Sequence, residues 1–162
     1  MKISMIGTGY VGLVSGACFA DLGNNVLCVD NDQKKIDLLN NNQIPFFEPG
    51  LNDLVNKNYT SGRLRFTTNL KLAIKYSDII FICVGTPASK KNSSTDLQYV
   101  FKAVTEISKY IDRFKIIVTK STVPVTTGDK IEKLILRKRK KKLFEVVSNP
   151  EFLREGEAIR DF

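Results

Sequence analysis

Three glycines at fixed spacing constrain this chain more than any other feature. They lie in Met5-Ile6-Gly7-Thr8-Gly9-Tyr10-Val11-Gly12, directly behind the apolar start of the chain. Gly7 permits a tight strand-to-helix turn, Gly9 leaves no Cβ between the backbone and a pyrophosphate, and Gly12 lets the new helix pack close on its strand. The free N–H groups at such a helix start face an anion. The run Asn25-Val26-Leu27-Cys28-Val29 follows, almost continuously apolar as a parallel strand buried on both faces must be, and it ends on Asp30. A carboxylate at that strand end is placed to accept both hydroxyls of an adenosine ribose, which implies NAD rather than NADP.

Apolar strand-like runs recur at 2–6, 25–29, 64–67, 78–84, 115–119 and 143–147, with helical segments between them. Alternation of this kind predicts an α/β fold, a doubly wound parallel sheet of Rossmann type in a single domain, with right-handed crossovers and strand order 3-2-1-4-5-6. The stripe Leu97, Val100, Phe101, Val104, Ile107 has the spacing of a helix packed on one sheet face, with Ser94 and Thr95 as expected caps. Chemistry then belongs to the loops leaving the strand ends. Those are Val84-Gly85-Thr86-Pro87, Thr119-Lys120-Ser121-Thr122-Val123-Pro124 and Ser148-Asn149-Pro150-Glu151-Phe152-Leu153-Arg154-Glu155. Taken singly, each also reads as turn punctuation. Pro45 to Leu51 reads as a turn followed by a capped helix, with Phe46 and Phe47 packing a core, and Ala88 to Thr95 as an exposed loop.

Composition removes several chemistries. The 162 residues contain no histidine, so acid–base work falls to Lys, Glu, Asp, Tyr or water. Cys18, Cys28 and Cys83 sit in apolar segments without metal-ligand spacing and read as buried thiols of a reducing compartment, with no metal site. No run of about 18 uncharged apolar residues is present, and the chain enters a strand at once, so a cytoplasmic protein without membrane attachment is expected. The net charge of +8 invites a nucleic-acid reading, but six cations form the single run Arg137 to Lys142. Placed behind a helix containing Ile131, Leu134 and Ile135, that run reads as a solvated helix end, with no nucleic-acid partner.

Five motifs in register make the chain similar to the nucleoside-diphosphate-sugar dehydrogenases, the UDP-glucose/GDP-mannose dehydrogenase family, most closely its UDP-glucose branch. They are Gly7-Thr-Gly-Tyr-Val-Gly-Leu13, Glu48-Pro-Gly-Leu51, Val84-Gly-Thr-Pro87, Lys120-Ser-Thr-Val-Pro-Val125 and Ser148-Asn-Pro-Glu-Phe-Leu-Arg-Glu-Gly156. The resemblance implies oxidation of the C6 hydroxyl of UDP-glucose to a carboxylate with two NAD per turnover, through a cysteine thioester. It places Gly7, Gly9, Tyr10, Val11 and Gly12 at the pyrophosphate, Asp30 and Lys35 at the adenosine ribose, and Thr86, Thr122 and Glu155 along the nicotinamide half. Glu151, Phe152, Leu153, Arg154 and Glu155 match the substrate segment. Thr122, Glu151 and Glu155 are the implied catalytic residues, and either glutamate could be the principal base. Thr126 departs from the pattern, which has glycine there. The family's nucleophilic cysteine has no counterpart here, and Cys83, the nearest to the crevice, lacks an adjacent base. The resemblance therefore implies the N-terminal NAD-binding domain, residues 1–162, of a longer and homo-oligomeric enzyme. It also implies that this part by itself does no chemistry. GDP-mannose and UDP-N-acetylmannosamine dehydrogenases, and a non-catalytic NAD- or polyanion-binding module, are the competing readings.

Overall fold

The computed structural model describes residues 1–87, 95–138 and 142–162. Its strands are β1 (Lys2–Ile6), β2 (Asn25–Val29), β3 (Leu64–Thr67), β4 (Ile79–Ile82), β5 (Lys115–Thr119) and β6 (Phe144–Ser148). Its helices are α1 (Tyr10–Asp21), α2 (Gln33–Asn40), α3 (Leu51–Thr60), α4 (Leu70–Tyr76), α5 (Gln98–Ser108), α6 (Thr127–Leu136) and α7 (Ala158–Asp161). All strand pairs are parallel, in the order β3-β2-β1-β4-β5-β6, as the sequence predicts. Interior strands are apolar on both faces because each face carries helices. Ile3, Met5, Val26, Cys28 and Leu64 pack beneath α1 and α3, whereas Ile80, Ile82 and Ile117 pack beneath α4, α5 and α6.

Helix α1 lies unusually near the sheet. A Cβ on Gly12 would stand 1.9 Å from the Gly7 carbonyl oxygen, and one on Gly16 would stand 2.7 Å from the Cys28 sulfur. Glycine at both positions is therefore a packing requirement.

The other end of the sheet is closed by cations. Arg113 donates to the Lys75 and Tyr76 carbonyls, and the fully buried Lys115 donates to the Ser77 carbonyl at 2.5 Å. These carbonyls are the orphan acceptors at the end of α4, which makes this buried lysine a structural one.

Several local expectations change. Helix α5 is not capped by Thr95: Leu97 occupies the cap position, and Asp96 accepts the Gln98 N–H at 2.9 Å. Ser94, the loop from Ala88 and the cations at 139–141 lie outside the described residues. Phe46 packs on Tyr10, with ring centroids 5.2 Å apart, but Phe47 is 87 % exposed and leaves the core. Strand β4 is shorter than its apolar run, ending at Ile82. Thr126 adopts φ −82° and ψ 3° at the start of α6, an ordinary conformation that does not demand the missing glycine. Arg137 occupies the cap position at the end of that helix, and Lys142 pairs with Glu132 and Glu145 at 3.0 and 3.2 Å. Among the described residues no helix is long and apolar enough to cross a membrane.

Candidate functional site: the rim at the strand ends

Past their carboxyl ends the strands stay in register, and this aligns the loops. Gly7 N–H donates to Val29, Cys83 N–H to Ile6, Lys120 N–H to Ile82 and Asn149 N–H to Thr119, at 2.7 to 3.0 Å. The glycine turn, Asp30, Thr86, Thr122 and the segment from Glu151 to Glu155 consequently share one rim of the sheet. The strand order reverses between β1 and β4, so the crevice opens there.

Gly7 turns the chain at φ 103°, in the left-handed region that favours glycine, and a Cβ there would meet the Cys83 carbonyl oxygen at 2.8 Å. Gly9 differs. Its conformation suits any residue, and a Cβ would meet nothing within 4 Å. The space in front of Gly9 is thus open, and α1 begins there with no side-chain cap on its first N–H groups. Tyr10 and Val11, the first two residues of α1, bring those N–H groups to the opening. This matches what a pyrophosphate needs.

At the end of β2, Oδ2 of Asp30 accepts the Thr8 N–H and hydroxyl at 2.9 and 2.8 Å and the Lys35 ammonium at 3.1 Å. Oδ1 accepts the Asp32 N–H at 3.1 Å. Burial opposes the charge, but these donors outweigh it and hold the Asp30 carboxyl below its ordinary range. Only Oδ1 retains capacity for further donors, so a ribose would be gripped chiefly by one oxygen rather than two. Lys35 lies in the first turn of α2, whose cap is Asp32.

On the opposite side, Thr86 is half-buried and Thr122 exposed, while the neighbouring Ser121 hydroxyl ties β5 to the Val84 carbonyl at 2.8 Å. No helix begins at Pro150: residues 149–154 form an irregular segment leading to α7, and the Glu151 carboxylate accepts the Leu153 N–H at 3.0 Å. Leu153 packs on the core, whereas Phe152 is 86 % exposed and Glu155 is exposed at the rim. Arg154 is committed elsewhere. Its N–H, Nε and terminal nitrogen clasp Asp161 at 2.9, 3.0 and 2.6 Å, and this holds the Asp161 carboxyl down at about 2.

Two features were not legible from residue types. Lys120, buried, donates to Asn149 at 3.1 Å and so joins the loops after β5 and β6. Glu48, buried, accepts the Tyr10 hydroxyl at 2.5 Å, the Gly156 N–H at 2.7 Å and the Ala158 N–H at 2.9 Å. The Tyr10 hydroxyl, then two of these N–H groups, keep the Glu48 carboxyl below its usual range, while burial and Glu48 push Tyr10 up to about 12. The only signal in the sequence was the Glu48-Pro-Gly-Leu51 run, which reads as a turn.

The three thiols are buried and unactivated. Burial raises Cys18 to about 11 and Cys83 to about 12, and it raises Cys28 as well. Around Cys83 the nearby Lys120 charge acts against burial and Glu151 acts with it, and burial prevails. Among the described residues no cluster of His, Cys, Asp and Glu could hold a metal ion.

Comparison with known proteins agrees with this geometry. The family model described as "UDP-glucose/GDP-mannose dehydrogenase family, NAD binding domain" matches residues 1–162. The chain is 56 % identical to a UDP-glucose 6-dehydrogenase of Rhizobium meliloti, over 100 % of this chain and 37 % of that protein. It is 54 % identical to the UDP-glucose 6-dehydrogenase TuaD of Bacillus subtilis, over 99 % of this chain and 35 % of that one. It therefore spans little more than a third of the length of these relatives. Among solved structures, a GDP-mannose dehydrogenase from Pseudomonas aeruginosa superposes with a TM-score of 0.94 at 41 % identity, covering 99 % of this chain and 38 % of that one. A UDP-glucose dehydrogenase from Pyrobaculum islandicum gives 0.93 at 36 % identity, with coverages of 99 % and 38 %.

Proposed function

This chain belongs to the UDP-glucose/GDP-mannose dehydrogenase family as its NAD-binding domain, and from that premise we propose that it serves the oxidation of UDP-glucose to UDP-glucuronate. The observation that carries the reading is the shared rim. An open glycine turn with Asp30 behind it faces the same crevice as the segment bearing Glu151 and Glu155. The choice of UDP-glucose is supported by the 56 % and 54 % identity to relatives named for that substrate.

The residues fit the cofactor. Tyr10 and Val11 N–H groups would hold its pyrophosphate, Asp30 Oδ1 a ribose hydroxyl, and Thr86, Thr122 and Glu155 its nicotinamide half. Bound NAD accepts hydride, two equivalents being needed to take a primary alcohol to a carboxylate. The protein's own part is to orient and to move protons. Glu151, or failing that Glu155, would take the proton from the water that hydrolyses a thioester. Phe152, Leu153 and Arg154 carry these carboxylates at the rim as the substrate segment. On this reading residues 1–162, with every thiol buried, offer no thiolate to form the thioester and are not expected to complete the oxidation by themselves.

The test has two arms. Residues 1–162 are titrated with NAD by calorimetry. They are also grafted in place of the equivalent part of the Rhizobium meliloti relative, and NADH formation is followed with UDP-glucose and with GDP-mannose. NAD binding together with turnover of UDP-glucose is expected. A graft that prefers GDP-mannose would overturn the substrate, and steady NADH formation by residues 1–162 that disappears in Cys83→Ser would overturn the division of labour.

A further inference from the structure

Glu48 belongs to no site residue set considered so far, yet it touches both halves of the rim. One carboxylate oxygen accepts from the Tyr10 hydroxyl and the Gly156 N–H, and the other from the Ala158 N–H. At 5 % exposure water does not compete for these bonds. Tyr10 is the first residue of α1, so its backbone lies at the glycine turn while its ring reaches away to Phe46 and Glu48. Gly156 turns the chain at φ 87° at the end of the segment carrying Glu151 and Glu155. The Tyr10 hydroxyl also stands 3.4 Å from the Arg154 carbonyl.

We propose that Glu48 is a positioning residue that couples the dinucleotide turn to the loop of Glu151 and Glu155, with Tyr10 as the arm between them. The inference deepens the functional reading above and rests on it. An anion held on the Tyr10 N–H restrains the residue whose hydroxyl completes the Glu48 cluster, and Glu48 passes that restraint to Gly156 and Ala158. Cofactor binding then orders the loop that receives the sugar nucleotide. A carboxylate suits this task because both its oxygens only accept, whereas an amide at the same place turns a donor toward one of the N–H groups.

The test is amide hydrogen exchange followed by NMR on residues 1–162, with and without NAD, in the wild type, Glu48→Gln and Tyr10→Phe. In the unliganded state, Gly156 and Ala158 should lose at least tenfold of their protection in Glu48→Gln, with Met5 in the central strand unchanged. NAD at saturating concentration should add several-fold protection to both amides in the wild type, and that gain should vanish in Tyr10→Phe. A purely structural Glu48 would leave the NAD-dependent gain intact in Tyr10→Phe, and that result overturns the proposal. Should Glu48→Gln fail to fold, Tyr10→Phe still decides the matter. A wild type that does not bind NAD would sink the cofactor reading and the coupling with it, a failure distinct from unprotected loop amides in a chain that binds.

Discussion

Thr8 meets Asp30 twice, through its backbone N–H at 2.9 Å and its hydroxyl at 2.8 Å, both on the same carboxylate oxygen. The residue between two fingerprint glycines thereby fixes the carboxylate at the end of the neighbouring strand. Asp30 is thus held in one orientation by the protein itself, with acceptor capacity left on Oδ1.

NAD should bind residues 1–162 more tightly than NADP, because Asp30, if it holds the adenosine ribose as proposed, would face the extra 2′-phosphate. Lys35 at 3.1 Å offsets part of that repulsion. Lys35→Gln should therefore widen the preference at least tenfold, since unit charges ~4 Å apart interact by a few kcal/mol at an effective dielectric near 20 and about 1.4 kcal/mol is tenfold. Calorimetry with both dinucleotides measures it, and NADP binding as tight as NAD would refute the role of Asp30.

Gly9→Ala and Gly12→Ala should separate function from folding. A methyl at residue 9 meets no protein atom, so stability should change by no more than about 1 kcal/mol while NAD affinity falls at least tenfold. At residue 12 the clash with the Gly7 carbonyl forces α1 off the sheet and costs about 3 kcal/mol or more. Thermal melts and NAD titrations of the pair check this; equal melting losses would count against it.

Loss of the Glu151 carboxylate should stall the second half of the reaction. In the grafted enzyme, Glu151→Gln, or failing that Glu155→Gln, should let the first oxidation proceed while slowing turnover ~10²–10⁴-fold, as expected for a lost general base. Mass spectrometry should then find the acyl-enzyme. Near wild-type turnover by both variants, with no adduct, would remove these residues from the chemistry.

The clasp of Arg154 on Asp161 should survive mild acid. Asp161 titrates lower folded than unfolded, so its contribution is complete above the ordinary carboxyl range, near pH 4, and is lost as pH falls through its folded value of about 2. Glu48, also lowered, acts in the same direction. Carboxyl-carbon NMR of Asp161 should show a midpoint near 2, and one near 4 would mean that the clasp does not form in solution.

Replacing Arg137 and Lys138 with Gln should leave NAD affinity within about twofold. These cations end α6, and beyond roughly 8 to 10 Å salt screens their charge. A tenfold loss would place the run at the cofactor.

Local chemistry was enough to determine the sheet. Residues buried on both faces must be apolar, so β1, β2, β4 and β5 announce themselves as short unbroken runs, and handedness together with the dinucleotide fingerprint then points to the order 3-2-1-4-5-6. The glycine turn was equally legible, because the conformation at Gly7 and the clearance at Gly12 exclude side chains whatever surrounds them. What the sequence could not carry was pairing at a distance. Glu48 finds Gly156 and Ala158, and Lys120 reaches Asn149, only because crossovers bring together loops far apart in the chain. A residue's type tells that it can donate or accept, but which buried partner it takes is decided by the packing that removes water as the competitor. Phe47 marks the same limit, since its neighbour Phe46 packs against Tyr10 while Phe47 itself lies exposed.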